Sequence, residues 1–229
     1  MELDRILKDR SSGQSRIIRM TLDLLEKTNR KSERMEICMK VCEAHKVMVG
    51  LRWVLKMIEE GKSVSEIRSA IEEMDERCSE KLKDIVKDRI VVTLSRSHTV
   101  ERGLITAKHV VVLESSPGKE GLEMARYLKG RSITVSTFPD SAMGYAVKAC
   151  DLVVVGADAV FENGFINKVG TFPLALLSKH LAKDFYVVAP SYKFSDDGLE
   201  EPSGMTFRDE MLFEFTPSDL VTAFVTERS

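Results

Sequence analysis

Cysteine, tryptophan and surplus charge are all scarce in this 229-residue chain, and each scarcity narrows what the protein can be. The four cysteines, Cys38, Cys42, Cys78 and Cys150, are scattered through a chain long enough to bury a core without staples, so free buried thiols in a reducing compartment are expected. Lys and Arg number 34 against 36 Asp and Glu, and a formal charge of −2 gives no electrostatic basis for direct nucleic-acid binding. No stretch approaches the roughly 18 consecutive apolar residues of a membrane span. The opening MELDRILKDRSSGQ mixes acids with bases and reads as neither signal peptide nor anchor, so a cytoplasmic location is expected. Neither a G-x-x-x-x-G-K-[ST] loop nor a G-x-G-x-x-G fingerprint occurs, which argues against a nucleotide hydrolase or a dinucleotide enzyme; no cofactor is expected. With 43% hydrophobic and 31% charged residues, the composition is that of an ordinary globular protein.

What is present falls into two textures. Up to about Asp88, proline is absent, Trp53 is the only aromatic residue, and apolar residues recur at helical spacing. Ile18, Leu22 and Leu25 mark one stripe, Met35, Met39, Cys42, Val49 and Trp53 a second, and Ile67, Ile71, Met74, Cys78, Leu82 and Ile85 a third, predicting three or four packed helices. Ser11–Ser15 offers a turn and cap, Gly61 ends a helix, and Ser63 with Glu66 spells a capping box. Cys38, Cys42 and His45 could share a helical face toward a metal, but no fourth ligand is identifiable, and Cys with Met on such a face reads as core; no metal site is predicted.

Beyond Asp88 come six short β-branched runs, RIVVTL, HVVVLE, SITVST, DLVVVG, FYVVAP and LVTAFV. Being apolar at both parities and mostly separated by stretches long enough for crossover helices, they predict an α/β fold with a parallel sheet covered on both faces. The expected division is a helical domain over 1–88 and an α/β domain over 89–229. Ligands of such sheets collect at the C-terminal strand edges. There the sequence places Ser95-Arg96-Ser97, Ser115-Ser116-Pro117-Gly118, Asp140-Ser141 and Asp158. The stretch Asn167-Lys168-Val169-Gly170-Thr171 reads as the entry to a helix and as an anion site. Gly170 would allow close backbone approach, the helix N-terminus would offer free N–H groups, and Lys168 would add a point charge.

The motifs DSAMGYAVKACDLVVVGADAV, ENGFINKVGT, FYVVAPSYKF and FEFTPSDLVTAFVTE resemble the translation initiation factor 2B α/β/δ subunit family, which also contains methylthioribose-1-phosphate isomerase and ribose-1,5-bisphosphate isomerase. The resemblance covers roughly residues 88 to 229. It implies a Rossmann-like C-terminal domain of the phosphosugar isomerase/CoA transferase-like type, a smaller helical domain closing over its strand edges, and a homodimer formed largely through the C-terminal domains. In the isomerases a Thr-His-Cys turn follows the first strand of this domain, and that Cys and the Asp of the later GAD motif transfer protons. Here the turn reads Thr93-Leu94-Ser95, while the Asp is kept as Asp158. A thiol of pKa about 8.5 exchanges protons near neutrality, and a serine hydroxyl does not without a strong base beside it. The isomerases' Glu-x-Arg-Pro turn and following Gln-Gly are replaced by Glu114-Ser115-Ser116-Pro117 and Glu120-Gly121, and their N-terminal Arg-Gly-Ala turn is not evident.

The expectation is therefore a regulatory protein like an initiation factor 2B subunit, binding a phosphorylated sugar or nucleotide in an interdomain cleft, with translation initiation factor 2 or its subunits as implied partner. The alternative is an aldose–ketose isomerase acting on a ribose 1-phosphate or ribose 1,5-bisphosphate, with Asp158 catalytic. Under either reading the predicted ligand contacts are Ser95, Arg96, Ser97, Asp140, Ser141, Asp158, Asn167, Lys168, Gly170 and Thr171.

Overall fold

A computed structural model describes residues 1–10, 12–195 and 212–228. Five helices come first: α1 (Glu2–Lys8), α2 (Gln14–Glu26), α3 (Lys31–Ala44), α4 (Val49–Glu59) and α5 (Val64–Val86). The sequence predicts three or four because α1 is short and the second stripe runs across a break. That break falls at His45, where the backbone leaves helical geometry, so Met35, Met39 and Cys42 lie on α3 while Val49 and Trp53 lie on α4. Met39 leaves the stripe altogether, at 51% exposure. The predicted signals at the other end hold: Gly61 has φ +85°, and Ser63 and Glu66 exchange both hydrogen bonds of a capping box, Glu66 N–H to Ser63 Oγ at 3.2 Å and Ser63 N–H to Glu66 Oε2 at 2.8 Å.

The six predicted β-branched runs are six parallel strands. They are β1 (Ile90–Leu94), β2 (His109–Leu113), β3 (Val135–Phe138), β4 (Leu152–Gly156), β7 (Asp184–Val188) and β9 (Ala223–Val225), in the spatial order β3-β2-β1-β4-β7-β9. Their double-sided apolarity has a direct cause. Val92, Leu94, Val111, Leu113, Val153 and Val155 pack on one face with α8 (Met143–Ala149) and α9 (Thr171–His180), whereas Val91, Val110, Val112, Leu152 and Val154 pack on the other with α5, α6 (His98–Gly103) and α7 (Gly121–Lys129). A second, antiparallel sheet, β5 (Ala159–Val160), β6 (Gly164–Lys168) and β8 (Phe213–Pro217), was not foreseen; Asn167 and Lys168 therefore sit on a strand, and only Gly170 opens α9.

Helix α5, 23 residues and about 34 Å long at 1.5 Å per residue, ties the helices to the sheet. Its first turns give Val64 and Ile67 to a core shared with Ile17, Leu22, Val41 and Leu51, and its last turns give Cys78, Leu82 and Val86 to the sheet's core. Tyr192, from the short turn 191–193 after β7, plugs into the helical core, so the helices are pinned over the strand ends. Among the described residues no helix is long and apolar enough to cross a membrane.

Candidate functional site

In the order β3-β2-β1-β4-β7-β9 the direction of chain progression reverses between β1 and β4, and the loops leaving their C-terminal ends part there to leave a crevice. A cavity of about 520 Å³ lies at that point. Its sheet wall carries Ser95, Arg96, Ser97 and His98 after β1, Gly118 and Glu120 after β2, Ala157 and Asp158 after β4, and Asn167, Lys168 and Lys193; its helical wall carries Arg10, Gln14, Arg16 and Arg19. Gly156 is required where the β1 and β4 loops touch, because a Cβ there would come within 2.7 Å of the Cβ of Ser97.

Six of the ten predicted contacts line this cavity: Ser95, Arg96, Ser97, Asp158, Asn167 and Lys168. Ser95 turns the chain out of β1 with φ +68°. Its N–H donates to Ser115 Oγ at 2.7 Å and its hydroxyl to Glu120 Oε1 at 3.1 Å. Arg96 donates to Glu101 and to Glu123, both at 2.8 Å. Burial pushes the Glu101 carboxyl up, but the hydrogen bonds from His98 and Arg96 outweigh it and hold the group below its ordinary range. Ser97 caps α6, its Oγ accepting from the N–H of Val100 at 3.5 Å. Lys168, only 8% exposed, reaches Glu120 at 2.8 Å. The Asn167 amide donates to Thr171 Oγ1 at 3.0 Å, which fixes the side chain against the start of α9.

Burial drives the Asp158 carboxyl above its ordinary value. Lys193, the backbone N–H of Gln14 and Lys168 pull it back, and the charge on Glu120 adds to the rise. A half-buried carboxyl held in this way at a strand end is suited to proton exchange.

The other four predicted contacts lie outside the lining. Asp140 braces the β2 turn from below, accepting from the N–H groups of Ser115 at 2.8 Å and Ser116 at 2.6 Å, and Ser141 is exposed beside it. Thr171 is buried and donates to the carbonyl of Lys168 at 2.5 Å. Gly170 adopts φ +99° and caps α9. The predicted free N–H groups at this helix start are corrected: the Glu214 carboxylate from β8 accepts from Phe172 N–H at 2.8 Å and from the backbone of Gly170 and Thr171. An acid from a strand distant in sequence, which local motif reading does not place, has taken the anion's position.

Sequence reasoning also missed the helical wall. Gln14 is 2% exposed; its Oε1 accepts from Gly50 N–H at 2.9 Å, which orients the amide, and its Nε2 has no hydrogen-bond partner among the described residues. Arg16 and Arg19, one turn apart on α2, are exposed and have no ion-pair partner among the described residues. Lys193 is 3% exposed, donating to the Ala157 carbonyl at 2.9 Å. Only Lys193 lay inside a quoted motif, FYVVAPSYKF; Gln14 sat in a segment legible merely as a turn. At the place considered for a metal, Cys38 packs in the helical core and His45 Nε2 bonds the Ile6 carbonyl at 2.8 Å.

Comparisons with known proteins agree with this geometry. A protein of Pyrococcus furiosus described as translation initiation factor eIF-2B subunit 2-like is 29% identical over 89% of this chain and 82% of its own length. The ribose 1,5-bisphosphate isomerase of Archaeoglobus fulgidus is 34% identical, over 52% of this chain and 44% of its own length, so that match spans under half of the relative. Among solved structures, the Pyrococcus horikoshii translation initiation factor eIF-2B superposes with a TM-score of 0.83 at 26% identity, covering 100% of this chain and 94% of that one. The 5-methylthioribose 1-phosphate isomerase of the same organism gives 0.73 at 20% identity over 100% and 82%, a likeness of fold. The model of the initiation factor 2 subunit family matches residues 13–211, and on that extent the chain belongs to the initiation factor 2 subunit family.

Proposed function

We propose that the crevice between α2 and the strand ends binds a phosphorylated small molecule, a sugar phosphate or a nucleotide, and that the protein acts as a regulatory subunit of the initiation factor 2B kind. The observation carrying the ligand reading is Gln14, a cavity-lining residue whose Nε2 is a buried donor with no partner among the described residues, next to Arg16 and Arg19, which have no ion-pair partner among the described residues. A buried amide donor left alone costs about 1–3 kcal/mol, and an oxygen-rich anion would relieve that cost. Regulation rather than turnover is supported by Ser95, whose hydroxyl stands where the isomerases have a thiol. None of the four cysteines lines the crevice, and burial pushes all their thiols up to about 11 or 12. The name of the Pyrococcus furiosus relative points the same way.

The domain division at residue 88 and the Rossmann-like character of 89–229 are part of this proposal. The strand order, two-sided helical cover and crevice position support them. A homodimer, a cytoplasmic location and contact with translation initiation factor 2 or its subunits complete it. Asp158 favours a second reading, an aldose–ketose isomerase of ribose phosphates, because a raised carboxyl in the cavity could move the proton between C1 and C2. One experiment separates the two. Calorimetric titration with ribose 5-phosphate and adenosine monophosphate is paired with proton NMR of ribose 1-phosphate and ribose 1,5-bisphosphate left overnight with concentrated protein. Binding without conversion is expected; sustained conversion would replace the first reading with the second, and absence of binding by every compound would remove both.

A further inference from the structure

Among the described residues, the three cations on the strand side of the crevice, Arg96, Lys168 and Lys193, are already engaged by the protein itself. Arg96 is held between Glu101 and Glu123, and Lys193 donates to Ala157 beside the Asp158 charge. Lys168 is held by Glu120 at 2.8 Å. The Glu120 carboxylate does more than pair with a lysine, since the same Oε1 also accepts the Ser95 hydroxyl at 3.1 Å. It thus takes the two donors that a phosphate oxygen would need at the end of β1. Acidic residues are common at helix starts such as that of α7, where they serve the helix's own N–H groups. Here the carboxylate is aimed across the crevice instead. The β2 turn is shaped around it: a Cβ on Gly118 would collide with Glu120 Oε2 and lie 3.4 Å from Lys168 Nζ. On the opposite wall, Arg16 and Arg19 carry no internal carboxylate among the described residues.

Resting on the proposed ligand class, we infer that Glu120 is the specificity-determining residue of the crevice: it occupies the strand-side anion position, so the phosphate binds at Arg16 and Arg19 and only hydroxyl groups are accepted beside Glu120 and Asp158. The ligand is then a sugar monophosphate bound with its unphosphorylated end toward the sheet, and a sugar bisphosphate is excluded. A second phosphate would have to displace Glu120 from Lys168 and Ser95, or sit against two carboxylates. Hydroxyl groups, by contrast, can donate to both carboxylates at once.

Glu120→Gln tests this, because the amide keeps the shape and an acceptor oxygen while removing the charge. Ribose 5-phosphate and ribose 1,5-bisphosphate are titrated calorimetrically into the parent and variant chains at equal ionic strength. The parent should prefer the monophosphate. The variant should bind the bisphosphate about tenfold more tightly than the parent does and the monophosphate less tightly than the parent does, while an unchanged far-ultraviolet circular dichroism spectrum and melting curve report that it is folded. Equal binding of both compounds by the parent, or no gain for the bisphosphate in the variant, overturns the role of Glu120 while leaving the ligand class standing. A parent that binds neither compound beside a variant that gains the bisphosphate keeps Glu120 as the barrier and removes the monophosphate reading. No binding by either protein removes both inferences.

Discussion

Replacing Asp75 with Ala probes the joint that carries Lys193 into the crevice. Asp75 lies on α5, 4% exposed, and its Oδ1 accepts from the hydroxyls of Tyr192 and Thr99, each at 3.1 Å; both donors are fully buried. Truncation takes the carboxylate acceptor from two buried hydroxyls at about 1–2 kcal/mol each, and Ser15, which also bonds the Tyr192 hydroxyl, takes up part of that loss, so about 2 kcal/mol is expected. Tyr192→Phe removes one donor together with its bond and should cost about 1 kcal/mol. Because the two side chains touch, the double variant should be less destabilised than the sum of the singles by about 1 kcal/mol, the mark of direct coupling. Urea titration at pH 7 measures all three, with an unchanged slope showing that the unfolded reference is preserved. A loss below about 1 kcal/mol for Asp75→Ala, or strict additivity in the cycle, would refute the view that this network pins the 191–193 turn to α5.

Two further outcomes are expected. Because burial raises the Asp158 carboxyl above its ordinary 3.8, the folded state is favoured while that carboxyl is protonated and loses the contribution as pH rises through the folded value. Asp158→Asn should therefore gain melting temperature relative to the parent as pH rises above the ordinary carboxylate value, with no change in the difference below it; a pH-independent difference over the whole range would contradict the buried-carboxyl reading. In thiol titration of the native chain, Cys38, Cys78 and Cys150 should stay unreactive until denaturant is added, and the half-buried Cys42 should react first. Rapid labelling of Cys150 would show that the sheet's core opens readily.

The parallel sheet was legible because its central strands β1, β2 and β4 are buried on both faces, which leaves continuous runs such as Val91–Thr93 and Val153–Val155 that no surface segment would carry. The small sheet was not legible. Its strands β5, β6 and β8 pair residues up to about fifty positions apart, and β6 reads locally as turn and helix entry, since Asn163-Gly164 and Gly170 bracket it with turn chemistry. The crevice was half legible. Strand-end turns can be found wherever a run stops, so Ser95, Ser97 and Asp158 could be named in advance. What those residues bond to depends on other segments: Glu120 from the β2 loop neutralises Lys168, and Glu214 from β8 fills the start of α9. Nor could spacing alone show that Arg16 and Arg19 face a crevice rather than open solvent, because an amphipathic helix has a polar side in either case.

The central claim, that the crevice is a binding site for a phosphorylated small molecule, is tested most directly by a crystal structure of the protein grown with ribose 5-phosphate. The account predicts ligand density between α2 and the ends of β1 and β4, with the phosphate on Arg16 and Arg19, an oxygen on Gln14 Nε2, and hydroxyls toward Glu120 and Asp158. An empty crevice at saturating ligand, or a ligand bound elsewhere on the molecule, would contradict it.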